Sequence, residues 1–302
     1  MKKINVIIDT DPGVDDSTAL TIAMFSEIFD IKLITSTSGN VGIEKTTRNA
    51  LHLVEKFNKD IPVCKGVEKP MKRELQNAQE IHGVGGMGNY IPPIVNKKLC
   101  DKNAIDKMVE VINKYKNNIT LIELGPHTNL GYLFSTHKEV ENYIERIVFE
   151  GGSPYGKPGV KPHISFNISC DPDAADIVMK TKIKKDIIPS ELGRYIAHFD
   201  KNQVEQIRKI NKTGEFLATM YDGYMDEEVG LTTQTNDLCA IMYMIHPEIF
   251  KTHKVDIEVD TKKMLGKTTI TDNPNGLVTF VDEVDNEIFF KKFIDILKTI
   301  NY

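Results

Sequence analysis

Short β-branched and apolar runs alternate with amphipathic stretches through the first two thirds of the chain. The runs Ile4–Ile8, Ile31–Ser36, Ile119–Leu124, Arg146–Glu150 and Asp186–Pro189 are predicted strands. Between them, helical spacing of apolar positions predicts helices over Ser17–Phe25, Ile43–Phe57, Ile105–Tyr115 and Asp173–Met179. The strand runs are continuously apolar rather than alternating, which indicates a parallel sheet covered on both faces. The expected fold class is α/β, an open, mostly parallel sheet flanked by helices. Beyond it, Asn202–Asp226 and Asn236–Ile245 read as helical, and Lys254–Asp260, Lys267–Asp272 and Leu277–Val281 as short strands. The Asn-Pro-Asn-Gly turn at 273–276 is expected to join the last two strands as a hairpin, before a final helix over Glu287–Ile300. No repeat, low-complexity tract or linker divides the chain, so residues 1–302 are expected to form a single domain.

Composition changes this picture little. The chain has 302 residues, 40% hydrophobic and 27% charged, with a net charge of −5. Such a weakly acidic balance gives no electrostatic reason to expect nucleic acid or a membrane surface as partner. No apolar run approaches the ~18–20 residues of a spanning helix. The Met-Lys-Lys start followed by Ile4–Ile8 superficially resembles a signal peptide, but Asp9 and Asp11 interrupt it and no small-residue cleavage site follows. A buried first strand in a cytoplasmic protein is the expectation. Cys64, Cys100, Cys170 and Cys239 are widely spaced, with no CxxC pair, and are expected to be isolated reduced thiols.

The segment Val6-Ile-Ile-Asp-Thr-Asp-Pro-Gly-Val-Asp-Asp16 carries the most chemistry. A hydrophobic strand runs into four carboxylates and should stop at Pro12-Gly13. Asp15 or Asp16 capping a helix that begins near Ser17 accounts for one or two of the acids. Four like charges gathered at a buried strand end repel unless something neutralises them. Oxygen ligands without nearby His or Cys favour Ca²⁺ or Mg²⁺ over zinc. Asp-x-Asp after a first strand also opens phosphatases of the haloacid-dehalogenase type, but the Pro-Gly-Val-Asp-Asp continuation and the remaining acids and lysine of such a site do not fit. The glycines at 83–88 lack the strand context and Lys of a P-loop, so a mobile rim loop near the substrate is expected.

Asp9-Thr-Asp-Pro-Gly-Val-Asp-Asp16 resembles the signature of the inosine–uridine-preferring nucleoside hydrolase family. Ser38-Gly-Asn-Val-Gly-Ile-Glu-Lys-Thr-Thr-Arg-Asn-Ala50, His82-Gly-Val-Gly-Gly-Met-Gly88 and Leu124-Gly-Pro-His-Thr-Asn-Leu130 resemble further blocks of it. So do Phe166-Asn167 with Asp171-Pro-Asp-Ala-Ala175, similar to a ribose-binding strand and its following helix, and Asn236-Asp237, where the family has His-Asp. The resemblance implies a Rossmann-like sheet of the nucleoside hydrolase fold and calcium-dependent release of free base from ribonucleosides, in nucleobase salvage. It implies that Asp11, Asp16, Asp237 and the backbone carbonyl of Leu124 bind calcium, and that Asp11 also takes a proton from a metal-bound water. Asp15, Asn40 and Asn167 would hold the ribose hydroxyls, and Asp9 would orient its neighbours. A homodimer or homotetramer is expected by the same analogy. His127, His198, His246 and His253 are read as surface or helix-end residues without a role.

Four departures bear on substrate. The family Glu that helps hold the ribose 5′-hydroxyl is Ser165 here, and an Asn usually found upstream is missing from Pro158-Gly-Val-Lys-Pro-His163. The His linked to leaving-group activation is Asn236, which cannot donate a proton as an acid, leaving His82 or the lability of the bond itself to assist base departure. The acid often found in the His-Gly loop is Gly85. Ser165 with Lys157, Lys161 or His163 suggests an alternative substrate, a 5′-substituted riboside such as a nucleoside 5′-monophosphate. A non-catalytic nucleoside- or ribose-binding homologue is the other alternative.

Overall fold

The computed structural model describes residues 3–153, 164–224, 230, 233–300 and 302. The alternative's Lys157, Lys161 and His163, and the segment 158–163, lie outside the described residues.

The first strand β1 (Ile4–Thr10) is followed by α1 (Val14–Phe25), β2 (Phe29–Ser36), α2 (Ile43–Lys56), β3 (Val63–Lys65) and the short α3 (Gln79–His82). Then come α4 (Ala104–Lys114), β4 (Thr120–Glu123), α5 (Thr128–Thr136) and β5 (Arg146–Glu150). The turn α6 (Phe166–Cys170), α7 (Pro172–Lys180) and β6 (Lys184–Ile188) follow. The chain continues through a π-helical turn (Leu192–Ile196), α8 (Lys201–Arg208), α9 (Lys212–Tyr221), α10 (Asn236–Ile245), β7 (Phe250–Val259), β8 (Thr268–Asp272), β9 (Val278–Val284) and α11 (Asn286–Thr299).

The nine described strands join one sheet in the order β3-β2-β1-β4-β5-β6-β9-β7-β8. The pairings from β3 through β9 are parallel, and β7 pairs antiparallel with both β8 and β9. The order 3-2-1-4-5-6 is that of a doubly wound sheet, and its switch point lies between β1 and β4. Successive side chains leave opposite faces. Val6, Ile8, Ile122 and Val148 pack with α1, α2, α10 and α11, whereas Ile7, Leu121, Ile147 and Phe149 pack with α4, α5 and α7. Burial on both faces is why these strands read as continuous apolar runs.

The hairpin expected across Asn273–Gly276 does not form. β8 and β9 lie on opposite sides of β7, and Val255 pairs with both Asp272 and Val278. The turn instead crosses the end of β7, where the Asn273 N–H donates to the Lys254 carbonyl at 3.0 Å. Two interstrand spacings are only about 9.6 Å, well within reach of the intervening residues. Asn167 lies on the helical turn α6, not on a strand. Helix α1 begins at Val14 with Gly13 as its N-cap, so Asp15 and Asp16 occupy its first turn and neither is the cap residue. Cys64 on β3 and Cys100 form a disulfide with their Cα atoms 5.2 Å apart, contrary to the expected free thiols; parallel pairing of β3 with β2 and the return of the chain before α4 bring them together. Cys170 and Cys239 are free and buried. His127 caps the start of α5 but is fully buried, its ring paired with Glu123. No described helix is long and apolar enough to cross a membrane.

Candidate active site

The carboxyl ends of β1 and β4 converge on the acids. Beyond Thr10 the chain turns so that Asp16, in the first turn of α1, points back at the strand it came from. Its Oδ1 accepts from the Thr10 hydroxyl at 2.6 Å and the Asp11 N–H at 3.2 Å. Its Oδ2 accepts from the Gly13 N–H at 2.9 Å and Asn40 Nδ2 at 2.8 Å. Asp11 is held from the β2–α2 loop, where the Asn40 N–H donates to its Oδ2 at 2.6 Å. Its other oxygen, Oδ1, is buried and accepts no hydrogen bond from any described residue. Asp9 sits behind them, its Oδ1 accepting from Asn129 Nδ2 at 2.7 Å and from the Thr35 hydroxyl.

Asp237, in the first turn of α10, completes the group. Carboxylate oxygens of Asp15, Asp16 and Asp237 lie within 4.8 Å of one another, all buried. Asp11 is outside that tight trio, although the four charges repel one another. Burial, then Asp16, pushes Asp15 up to about 8, with the Tyr224 hydroxyl hydrogen-bonded to it in opposition. Burial first and the neighbouring acids next raise Asp11 and Asp237 as well. Burial, then Glu123, raises Asp9 to about 8. Left to itself the cluster must take up protons; a bound divalent cation would relieve it instead. The donors are all oxygens, one of them unpartnered at Asp11, and they fit a hard cation. The backbone leaves them no slack. A Cβ on Gly39 would lie 2.1 Å from Asp11 Oδ2, and one on Gly125 would lie 2.7 Å from Asp11 Oδ1.

A cavity of about 460 Å³ opens beside the cluster. Asp15, Asn40, Asn167, Leu124 and Asp237 line it, as do His82, Tyr224 and Asn236. Asn167 Nδ2 donates to the Leu124 carbonyl at 2.6 Å. His82 rests against Tyr224 with ring centroids 4.8 Å apart, and its Nδ1 accepts from the Val14 N–H at 3.2 Å. That bond puts the ring proton on Nε2, and burial lowers the His82 pKa to about 3, so the ring is neutral. Asn236 donates from Nδ2 to Gln234 at 3.1 Å, and its buried Oδ1 has no partner among the described residues.

Two expectations need adjusting. Ser165 is buried, but it is not part of the cavity wall; its Oγ faces Gly151, where an added Cβ would lie 3.4 Å away, and it has no partner among the described residues. The glycines at 83–88 do not line the cavity either. They pack behind His82, and the Gly85 carbonyl accepts from Arg48 and Asn49 at 2.8 and 3.0 Å. Sequence reasoning missed Tyr224, Ser190, Arg194 and Glu150, which also line the cavity. Glu150 alone had a signal, as an acid ending an otherwise apolar buried strand.

Comparison with known proteins agrees with this geometry. The sequence model of the inosine-uridine preferring nucleoside hydrolase family matches residues 6–291. The chain is 32% identical over 271 residues to the non-specific ribonucleoside hydrolase RihC of Escherichia coli, covering 89% of this chain and 88% of that protein. Among solved structures, the purine-preferring ribonucleoside hydrolase of Gardnerella vaginalis superposes with a TM-score of 0.88 at 26% identity, covering 98% of this chain and 100% of that one. The plant nucleoside hydrolase PpNRh1 superposes at 0.89 and 25% identity, covering 98% and 99%. The fold and cavity are therefore those of an N-glycosidase, a ribonucleoside hydrolase. The chain belongs to the inosine-uridine preferring nucleoside hydrolase family.

Proposed function

We propose that the chain hydrolyses the N-glycosidic bond of ribonucleosides to ribose and free base, with calcium held by Asp11, Asp16, Asp237 and the Leu124 carbonyl. The observation that carries this reading is Asp11 Oδ1, a buried carboxylate oxygen with no partner among the described residues, set among three further acids at the sheet's switch point. Asp15 lies within the same tight group, but it faces the cavity and takes the Tyr224 hydroxyl, which suits it to the sugar.

Held by these residues, a divalent cation would lower the pKa of a water molecule and help orient the ribose hydroxyls. Asp11 takes the proton of the attacking water at Oδ1. Asn40 and Asn167 commit their Nδ2 groups to protein oxygens, Asp16 Oδ2 and the Leu124 carbonyl among them, leaving each Oδ1 to accept from a ribose hydroxyl. As the base departs, positive charge develops on the ribose, and the surrounding carboxylates stabilise it. Neutral His82 offers its Nε2–H to the departing base as a hydrogen-bond donor, and Asn236 lines the same cavity.

Removing the Asp11 carboxylate tests the assignment. Asp11→Ala should lower base release by about 10²–10⁴-fold, the range for a lost general base, and weaken calcium binding measured by titration calorimetry. A variant with near-normal rate would refute the role given to Asp11.

A further inference from the structure

The block 38–50 contains one buried polar side chain that the proposed reaction does not use. Asn49 lies in the middle of α2, fully buried, and is not part of the cavity wall. Its Nδ2 donates to the Pro12 carbonyl at 2.9 Å and to the Gly85 carbonyl at 3.0 Å. Its Oδ1 accepts from Arg48 Nε at 3.1 Å and Arg48 Nη2 at 2.7 Å. The same guanidinium donates to the Gly85 carbonyl at 2.8 Å. Both amide donors are thereby spent, each on a different loop. Pro12 belongs to the turn that carries Asp11 and Asp16, and Gly85 to the loop that follows His82.

Packing does not ask for an amide at this place. A buried polar group costs free energy unless its donors find acceptors, and an apolar residue would fill the space without that condition. The two loops, by contrast, meet here. The Gly86 backbone runs so near that an added Cβ would lie 2.9 Å from Asn49 Nδ2 and 3.3 Å from the Pro12 carbonyl oxygen. One residue past Pro12, a Cβ on Gly13 would lie 2.4 Å from His82 Nδ1. The Val14 N–H donates to that same Nδ1. The His82 ring is therefore held by the acid turn, while Asn49 holds the chain just beyond it. The Gly88 N–H then closes the loop on the His82 carbonyl at 2.9 Å. Pinned at its middle and its end, the loop keeps Nδ1 on Val14 and leaves Nε2–H as the ring's donor.

We propose that Asn49 is a positioning residue for His82. It ties the 83–88 loop to the acid turn and so keeps the ring in the tautomer and orientation that assist the departing base. This rests on the hydrolase reading above and on the role given there to His82. Asn49 touches no substrate. Without it the loop loosens and the ring gives up its bond to the Val14 N–H. Departure of a poor leaving group then slows, whereas a leaving group that is stable as an anion departs without help.

The test is the ratio of kcat for inosine to kcat for 4-nitrophenyl β-D-ribofuranoside, whose leaving group needs no donor, at saturating calcium. Asn49→Ala should lower the ratio by about 10²-fold, the cost of a displacement of about 1 Å near the reacting groups. Its rate on the nitrophenyl compound should stay within about threefold of wild type. Arg48→Met, at the partly exposed end of the network, should lower the ratio by about 3–10-fold, the worth of an ordinary hydrogen bond. That variant supplies the test should Asn49→Ala fail to fold. Adding Asn49→Ala to His82→Ala should change the ratio by no more than about threefold beyond His82→Ala alone, because both act through one ring. In ¹⁵N spectra, Asn49→Ala should replace the single Nε2–H tautomer of His82 with a mixture. Equal loss on both compounds would mean that Asn49 serves only the acid turn or the fold, and would overturn the proposal. So would a ratio unchanged in Asn49→Ala and Arg48→Met while His82→Ala lowers it. A ratio unchanged in His82→Ala would refute the donor role of His82, and this proposal with it. Release of neither base nor nitrophenolate by the wild type would refute the hydrolase reading itself, and both inferences drawn from it.

Discussion

The tightest steric constraint in the site is at Gly39, and adding one methyl group there tests how rigidly Asp11 must be held. In Gly39→Ala the new Cβ would lie 2.1 Å from Asp11 Oδ2 and 2.8 Å from the ring of Pro126. An ordinary contact needs about 3.4 Å, so the carboxylate must retreat by roughly 1.3 Å. The proline ring is rigid and closes the other direction, so Asp11 moves and its 2.6 Å bond from the Asn40 N–H breaks. A displacement of about 1 Å at a reacting group costs on the order of 10² in rate. That factor is about 2.7 kcal/mol, within the roughly 1.5–3 kcal/mol of a hydrogen bond to a charged group; both figures describe one event. The assay is kcat/KM for base release from inosine at saturating calcium. Gly42→Ala is the control from the same loop, because its Cβ meets nothing within 4 Å. Gly39→Ala within about threefold of wild type, or Gly42→Ala equally impaired, would refute the claim that this backbone contact fixes Asp11.

Calcium should stabilise the protein more at pH 8 than at pH 5. Asp9 and Asp15 rise in the metal-free fold to about 8, from 3.8. The native state then keeps protons that the unfolded chain has lost, so the contribution of these two groups to metal-free stability is greatest below about pH 4 and is lost as pH climbs towards 8. Calcium takes the ionised carboxylates, so the increase in Tm on adding it should widen over that window; an equal increase at both pH values would contradict the cluster's electrostatics. The Cys64–Cys100 bond closes a separation of 36 residues. Its loop entropy is worth at most about 4 kcal/mol, so Cys100→Ser or reduction should lower Tm by roughly 5–10 °C, and a Tm insensitive to reductant would mean the thiols stay apart in solution.

How much the sequence disclosed depended on whether a feature was local. Most of the parallel strands were legible because burial on both faces leaves an unbroken apolar run, as at Ile147–Phe149, whereas the three-residue β3 was too short to show one. The acids after β1 were legible because four carboxylates in eight residues have no ordinary structural explanation. The pairing of β8 with β7 was not, since a turn signal such as Asn273–Gly276 fixes a local bend and says nothing about the strand crossed. The Cys64–Cys100 bond and the burial of His127 against Glu123 were hidden for the same reason, because partners distant in sequence or on neighbouring elements decide them. Tyr224 reaches Asp15 from beyond the end of α9, with no spacing pattern to mark it.

The two halves of the cavity are built differently, which is why the reaction could be read from the sequence and the substrate could not. Around Asp11 and Asp16, backbone groups supply many of the partners: the N–H of Asn40 on Asp11, and those of Asp11 and Gly13 on Asp16. Glycines with no room for a Cβ close the gaps. An arrangement held by the main chain tolerates few substitutions, so it leaves a dense local motif. On the other side, side chains from β5, the β6 end and α6 meet one another: Glu150, Ser190 and Asn167. Gly151 follows Glu150 directly and faces the Ser165 hydroxyl, so positions 150 and 165 border the same edge. A carboxylate can enter that edge from either element while its neighbours keep their bonds. Recognition assembled from interchangeable side chains can therefore change position without disturbing the fold, and it leaves no dense local motif.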